Sequence, residues 1–498
     1  MDKLSFRKII NNVRKPGASL THRVVVSGFW VFALRILQKA FGFIRLIVLA
    51  RVLAPDDFGL MGIALLTMST LETFSQSGFQ HALIQKKENI DSYLNSAWTV
   101  SVLRGIIIFV ILYLIAPYVA TFFNVTEAKS IIRIIGLSVL IKAFTNIGVI
   151  YFKKDFEFNK QFIYELAGAL ADFIVSVSAA LILRNVWALV FGLLAGDLAM
   201  CCLSYFLHPH RPRLNFDLGK LKELWGFGRW IFSSSILIFL VTQGDDIFVG
   251  KFLGVTMLGF YQIAYRVSNT PATEISHIIS RVTFPAYSKL QEDLSRLKEA
   301  YIKVLQVTMY LSFPIAGLIF VLAPDFTKIF LGEKWMPMVP ALRVLCIYGV
   351  ARAFGATAGT LFQGVGRPSI LTYLAIIDLT LMILIIYPLT SKYGILGTSI
   401  AVLTPSLITQ FIVGVNVLNI IKYSSFKFVK VFLLPLIYTI IVILPLYVFI
   451  SFCQYVNFFV FIFLIFYFVA GYLWVLYLFK RNVFFNAYKN IENKDFKI

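Results

Sequence analysis

Fourteen runs of about 20 mostly apolar residues dominate this chain, and a run of that length crosses a bilayer as a helix. They predict helices over 24–50, 58–80, 93–117, 130–150, 161–183, 186–207, 226–250, 258–282, 301–322, 338–362, 369–388, 394–420, 429–450 and 456–479. Turn chemistry separates them, as at Ala54-Pro55-Asp56-Asp57, His208-Pro209-His210-Arg211-Pro212 and Gly364-Val365-Gly366-Arg367-Pro368. The expected fold is an all-α integral membrane protein with about 14 transmembrane helices. Only 14% of residues are charged, against about 25% in soluble domains, so a soluble α/β enzyme is excluded.

The net charge of +21 would suggest nucleic acid in a soluble chain. In a membrane protein, Lys and Arg collect in cytoplasmic loops instead. With a cytoplasmic N-terminus, that side gathers 27 loop and tail bases and the opposite side 7. Both termini are therefore expected inside, and no nucleic-acid partner is expected. The N-terminus does not read as a cleavable signal, because its apolar run is too long and is interrupted by charge. Cys201, Cys202, Cys346 and Cys453 lie in or beside apolar segments, and the five histidines are scattered. No spacing suggests a metal site, a disulfide or a cofactor.

Charges inside the spans carry the functional signal. The first span holds Arg35, Lys39 and Arg45. One charge at a bilayer centre costs about 2.5–3.5 kcal/mol on insertion scales. At about 100° per residue, Arg35, Gln38, Lys39, Gly42 and Arg45 share roughly one third of the helix circumference. That is a cationic stripe suited to an anion crossing the membrane. The eighth span has a second stripe of Gln262, Arg266, Asn269, Thr273 and His277, with Tyr261 and Tyr265 nearby. The seventh aligns Ser235, Thr242 and Asp246, with Gln243 beside them. Arg104, Arg229, Arg281 and Lys303 lie near span ends and are expected to reach the interface. The competing explanation is that these charges form ion pairs locking helices together. Twelve intramembrane bases against eight acids favour a positive lumen.

The chain repeats itself. Ala50-Arg51-Val52-Leu53 and Phe58-Gly59-Leu60 align with Gly250-Lys251-Phe252-Leu253 and Leu258-Gly259-Phe260. Ala116-Pro117 aligns with Ala323-Pro324, Arg133 with Arg343, Lys142-Ala143-Phe144 with Arg352-Ala353-Phe354, and Asp172 with Asp378. The expected organisation is a basic N-terminus (1–23), a six-helix bundle (24–207), a cytoplasmic linker (208–225), a second six-helix bundle (226–420), two extra helices (421–480) and a tail (481–498). Parallel repeats put a transport path at their interface.

Leu49-Ala50-Arg51-Val52-Leu53-Ala54-Pro55-Asp56-Asp57-Phe58-Gly59-Leu60 resembles a signature of Wzx-type polysaccharide flippases. Gln243-Gly244-Asp245-Asp246-Ile247-Phe248-Val249-Gly250 and Phe284-Pro285-Ala286-Tyr287-Ser288 resemble further family segments. The likeness extends to about residue 420 and is greatest to the WzxC-like branch of the multidrug/oligosaccharidyl-lipid/polysaccharide exporter superfamily. It implies two facing bundles around a V-shaped cavity. It implies a flippase moving polyprenyl-pyrophosphate-linked oligosaccharide across the bacterial inner membrane for surface-polysaccharide synthesis. Expected partners are that lipid-linked anion, membrane lipids, and the polymerase and chain-length machinery.

Under that resemblance, Arg35, Lys39, Arg45 and Arg266 would meet the pyrophosphate, Gln38, Gln243, Gln262, Asn269, Tyr261 and Tyr265 would meet the sugars, and His277 would be a hydrogen-bonded residue of the same cavity. Asp172, Asp246 and Asp378 are candidates for ion coupling. Arg45 and Asp245 occupy equivalent repeat positions and are a candidate gate pair. A multidrug/cation antiporter is the first alternative, although three bases on one helix oppose it. A membrane oligosaccharide polymerase is the second, but the outer loops are short and carry no DxD motif.

Overall fold

The apolar runs fold as helices. The computed structural model describes residues 20–75, 90–155, 157–452 and 456–492, with backbone alone at 20–29, 31–32, 218, 220–235, 270–278, 280–282 and 480–492. The helices are α1 (Leu20–Val52), α2 (Pro55–Phe74), α3 (Asp91–Phe123), α4 (Ala128–Ala143), α5 (Phe158–Leu183), α6 (Trp187–Leu207), α7 (Leu218–Phe252), α8 (Val255–Leu290), α9 (Leu294–Phe326) and α10 (Val339–Gly364). The run Ser369–Ile421 is two helices, α11 (369–393) and α12 (395–421), because Gly394 takes φ 59° and ψ −140°. α13 (Ser425–Phe452) and α14 (Phe458–Glu492) complete the chain. Among the described residues, eight helical stretches are long and apolar enough to cross a membrane, with Ser369–Ile421 counted once. The bent pair Ala128–Ala143 and Ile147–Lys154 makes a ninth. This is an all-α integral membrane protein.

The expected helix over 130–150 is not straight. It stops after Ala143 and resumes at an angle of 69°. Asn146 sets the new direction. Its side chain accepts from the Gly148 N–H (2.9 Å) and donates to the His210 carbonyl (2.6 Å). Its own N–H donates to Ser204 Oγ at 2.9 Å.

The chain forms two compact units, residues 1–259 and 260–498. In the first, α7 packs on α2 through Phe239 and Phe74, whose rings meet edge-on at 6.1 Å. Lys251 Nζ, near the end of α7, donates to the Phe122 carbonyl at 2.6 Å, where α3 has run out of helical N–H partners. In the second unit, α13 and α14 pack on α9 through Tyr438, Leu446, Phe461 and Phe468 against Val321 and Leu322. The other face of α14 leaves Phe459, Phe466 and Trp474 exposed, as a lipid-facing helix does.

The sequence repeat returns as hydrogen bonding. Pro117 has no N–H, so the Tyr113 carbonyl loses its helical donor. Arg133 of α4 donates to that carbonyl (3.3 Å) and places its guanidinium 4.2 Å from the Tyr113 ring centroid. In α9, Pro324 frees the Phe320 carbonyl in the same way. Arg343 of α10 donates to it (3.1 Å) and lies 5.4 Å from the Phe320 ring. Pro314 frees the Tyr310 carbonyl, which accepts from the Tyr472 hydroxyl of α14 at 3.0 Å. Lipid offers no donor, so a neighbouring side chain must supply one.

One close approach accounts for two matched glycines. A Cβ on Gly59 would lie 1.9 Å from the Val255 carbonyl oxygen, and one on Gly259 would lie 2.1 Å from that of Pro55. The Thr256 hydroxyl donates to Asp56 at the same crossing. The contact is reciprocal under the repeat offset.

Candidate functional site

α1 packs against α5, and the two helices run in the same direction. Trp30 meets Phe162 edge-on at 5.1 Å, and Phe41 meets Phe173 at 5.6 Å. Between these apolar contacts lies a polar seam. Gln38 Nε2 donates to Glu165 Oε2 at 3.3 Å, and Gln161 donates to the other oxygen at 2.6 Å. Seven residues on, Arg45 Nη1 lies 2.9 Å from Asp172 Oδ2, and its Nε donates to Ser176 Oγ at 2.9 Å. Gly192 of α6 makes space for this carboxylate, since a Cβ there would lie 2.7 Å from Asp172 Oδ1.

The seam divides the cationic stripe. Gln38 and Arg45 point within about 20° of each other on the helix, toward α5. Arg35 and Lys39 sit roughly 60–120° further round. Lys39 is exposed and Arg35 half-buried. Arg45 thus has an acidic partner in Asp172, a carboxylate that the sequence reading set aside for ion coupling.

Other intramembrane charges are also engaged. Asp197 of α6 is buried and accepts from Ser138 Oγ at 2.5 Å, with Lys142 Nζ at 3.6 Å. Arg104 was expected at the interface. It donates to the Glu72 carbonyl (2.8 Å) and Ser75 Oγ (3.0 Å), closing the end of α2. Lys303 is exposed and pairs with Glu299 at 2.7 Å. On α7, Asp245 is buried and accepts from the Asp246 N–H at 3.0 Å, while Gln243 and Asp246 are half-buried. The side chains of Arg229, His277 and Arg281 lie outside the described residues.

In the second unit, Gln262 is half-buried and Arg266 exposed one turn apart on α8, whereas Asn269 is buried and donates to Ser268 Oγ at 3.2 Å. Arg352, which the sequence reading did not select as a site candidate, joins the polar and aromatic groups of this unit. It donates to the Tyr265 hydroxyl at 2.7 Å and lies 5.8 Å from the Tyr348 ring, with Tyr261 next to Tyr265 at 6.3 Å. Its signal was the match of Lys142-Ala143-Phe144 with Arg352-Ala353-Phe354. Asp378 of α11 accepts from the Thr409 hydroxyl of α12 at 3.4 Å. Among the described residues, no three His, Cys, Asp or Glu are grouped to hold a metal ion.

The segment 208–217 is strapped to the start of α3. Asn95 Oδ1 accepts from the Arg213 N–H (3.1 Å) and Thr99 Oγ1 from the Asn215 N–H (2.9 Å). His208 stacks on Tyr151 at 5.5 Å, and its Nδ1 accepts from the His210 N–H at 3.2 Å. Burial lowers the pKa of both histidines below the usual imidazole range.

Residues 48–340, from the end of α1 into the start of α10, match a family described as polysaccharide biosynthesis protein. The chain belongs to that family. It is 27% identical over 358 residues to the lipopolysaccharide biosynthesis protein WzxC of Escherichia coli, covering 71% of this chain and 72% of that one. It is 26% identical over 436 residues to a membrane protein of the cps region of Klebsiella pneumoniae, covering 86% and 90%. Its fold is similar to that of the lipid II flippase MurJ in an inward closed conformation, with a TM-score of 0.72 over 92% of this chain and all of that one, at 16% identity. These findings agree with the Wzx-type assignment drawn from Leu49–Leu60.

Proposed function

We propose that this protein flips a polyprenyl-pyrophosphate-linked oligosaccharide from the inner to the outer leaflet of the bacterial cytoplasmic membrane, for surface-polysaccharide synthesis. The observation that carries the reading is the division of the α1 stripe. α5 packs on Gln38 and Arg45, while Arg35 and Lys39 stand together on a different edge of α1, in a family of polysaccharide biosynthesis proteins. Two bases match a pyrophosphate of about two negative charges, and a guanidinium binds phosphate oxygens in pairs. Gln262 and Arg266 on α8 add an amide and a guanidinium from the second unit. Gln243 and the tyrosines beside Arg352 are suited to sugar hydroxyls and ring faces.

Asp172, Asp246 and Asp378 are the candidates for ion coupling, Asp172 with Arg45 beside it at 2.9 Å. Both termini are assigned to the cytoplasm, where the basic loops lie. The polymerase and chain-length machinery are assigned as partners that consume the flipped product.

Export of the lipid-linked glycan in cells tests this. Arg35→Ala with Lys39→Ala is expected to abolish export while the protein still inserts, and Arg35→Lys to restore only part. Export at the parental level by the double variant, at equal expression, overturns the assignment. Cysteines at 56 and 328 should label from outside, and those at 154, 213 and 427 should not.

A further inference from the structure

The strap from His208 to Asp217 lies along α3 in a fixed register. Asn95 receives the Arg213 N–H, and Thr99, one turn further along α3, receives the Asn215 N–H. Two residues of strap therefore match one turn of helix, and the two segments run in the same direction. Bonding through alternate N–H groups is the habit of an extended chain, whose successive side chains face opposite ways. Leu214 and Phe216 thus share one face of the strap, and Arg211 and Arg213 share the other. All four are exposed, Leu214 by 76% and Phe216 by 57%.

Two features say what meets these side chains. The first is direction. Asn95, Thr99, Leu103, Ile106 and Val110 fall within about 80° of one another around α3. The last three are large apolar side chains left exposed, so the strap lies on the face that α3 turns to lipid. The second is depth. Residues 100–119 of α3 are apolar apart from Ser101 and Arg104, and Arg104 is held by the end of α2. A stretch of that length spans about 30 Å, the thickness of the hydrocarbon core. The edge of the core then falls beside Thr99 and Asn215. Arg213, bonded one turn further out at Asn95, lies about 6 Å beyond that edge. The headgroup layer is about 5–7 Å deep on each side, so Arg213 sits at the level of the lipid phosphates.

We infer that the strap is a contact for anionic phospholipid: Arg213 and Arg211 bind lipid phosphates, and Leu214 and Phe216 seat against the tops of the acyl chains. A guanidinium meets two phosphate oxygens at once. Arg211 Nη1 donates to the His208 and His210 carbonyls at 2.8 and 3.0 Å, which fixes its guanidinium at the outer end of the strap. Asp217, the one acid of 208–217, accepts from the Gly219 N–H at 3.0 Å where α7 begins. The connection between α6 and α7 is thereby tied to the bilayer surface. The inference stands apart from the flippase reading and from the side of the membrane on which the strap lies, since both leaflets carry headgroups.

Fluorescence quenching of the full-length chain in nanodiscs tests it, with Cys201, Cys202, Cys346 and Cys453 replaced by alanine. Bimane on Phe216→Cys is expected to be quenched by lipids that carry a nitroxide near the top of the acyl chain, and to be shielded from aqueous iodide. At a low fraction of labelled lipid, nitroxide phosphatidylglycerol should occupy the site about fivefold more than nitroxide phosphatidylcholine for each base engaged. Arg213→Gln should remove most of that preference, and Arg211→Gln with Arg213→Gln all of it. Bimane on Tyr118→Cys, exposed near the far end of α3, should show none. Quenching of the Phe216 position by iodide alone would give this face to a soluble partner and overturn the proposal. Equal quenching by the two lipids overturns it too, as does a preference that survives loss of both arginines or that is equally large at Tyr118.

Discussion

Arg343→Ala removes the side-chain donor that bonds the Phe320 carbonyl in place of the N–H missing from Pro324. An acceptor left unsatisfied costs about 1–3 kcal/mol. The lost stacking on the Phe320 ring adds about 0.5–1 kcal/mol. At about 2–4 °C per kcal/mol for a unit of this size, a loss of about 2 kcal/mol lowers the melting temperature by about 4–8 °C. Pro324→Ala supplies an N–H that bonds the same carbonyl within α9. In that background Arg343→Ala forfeits only the ring contact, about 1 kcal/mol or less. The cycle should therefore show a coupling of about 1–3 kcal/mol. Cys346 is buried one turn along α10 and reports the melt through a thiol-reactive dye, once Cys201, Cys202 and Cys453 are replaced by alanine. Arg343→Ala costing the same in both backgrounds would refute the reasoning. Arg133 and Pro117 should give a parallel cycle in the first unit.

Arg45→Ala or Asp172→Asn leaves one charge of a pair only about one fifth to one quarter exposed without its partner. Each should cost about 1–3 kcal/mol, less than the 3–5 of a fully buried pair, and the double variant should cost less than their sum; strict additivity in thermal melts would dismiss the coupling. Gly59→Ala or Gly259→Ala forces a Cβ into a carbonyl oxygen, so each should cut the yield of folded protein severalfold; a parental yield for either variant contradicts the close crossing. The histidines of the 208–217 strap titrate below their unfolded value of about 6.5, chiefly because they are buried. The unfolded strap therefore binds protons first, and stability present above about pH 6.5 is lost as pH falls below it. Hydrogen-exchange protection of 208–217, corrected for intrinsic rates, should drop over that interval; a flat profile, or one unchanged when both histidines are replaced by asparagine, counts against the strap.

The sequence was legible where a physical demand was written into residue type. Apolar length marked the helices, and paired Gly59/Gly259 and Arg133/Arg343 marked the repeat. Arg133 and Arg343 proved to answer Pro117 and Pro324, a link that required knowing which helices are neighbours. Neighbours also decide the α1 stripe. Periodicity put five residues on one face, but only α5 shows that Glu165 and Asp172 claim Gln38 and Arg45. The bend after Ala143 escaped detection because Asn146 is recruited by Ser204 and His210, about 60 residues downstream. Asn269 shares a helical face with Arg266 in sequence, yet packing buries one and exposes the other.

The reciprocal crossing of residues 55–59 with 255–259 has a consequence for how such a chain is read. Each glycine is needed because the other strip of backbone is there, so the same requirement is recorded at two addresses. A single sequence then supplies its own comparison. The later copy serves as a distant cousin of the earlier one, and positions that agree across the two are those where geometry left no freedom. Positions that differ, such as Arg45 against Asp245, are where the copies were released to specialise. Saturation mutagenesis should recover this division without reference to any other protein: tolerance shared by the two copies at matched glycines, and divergent tolerance at matched charges.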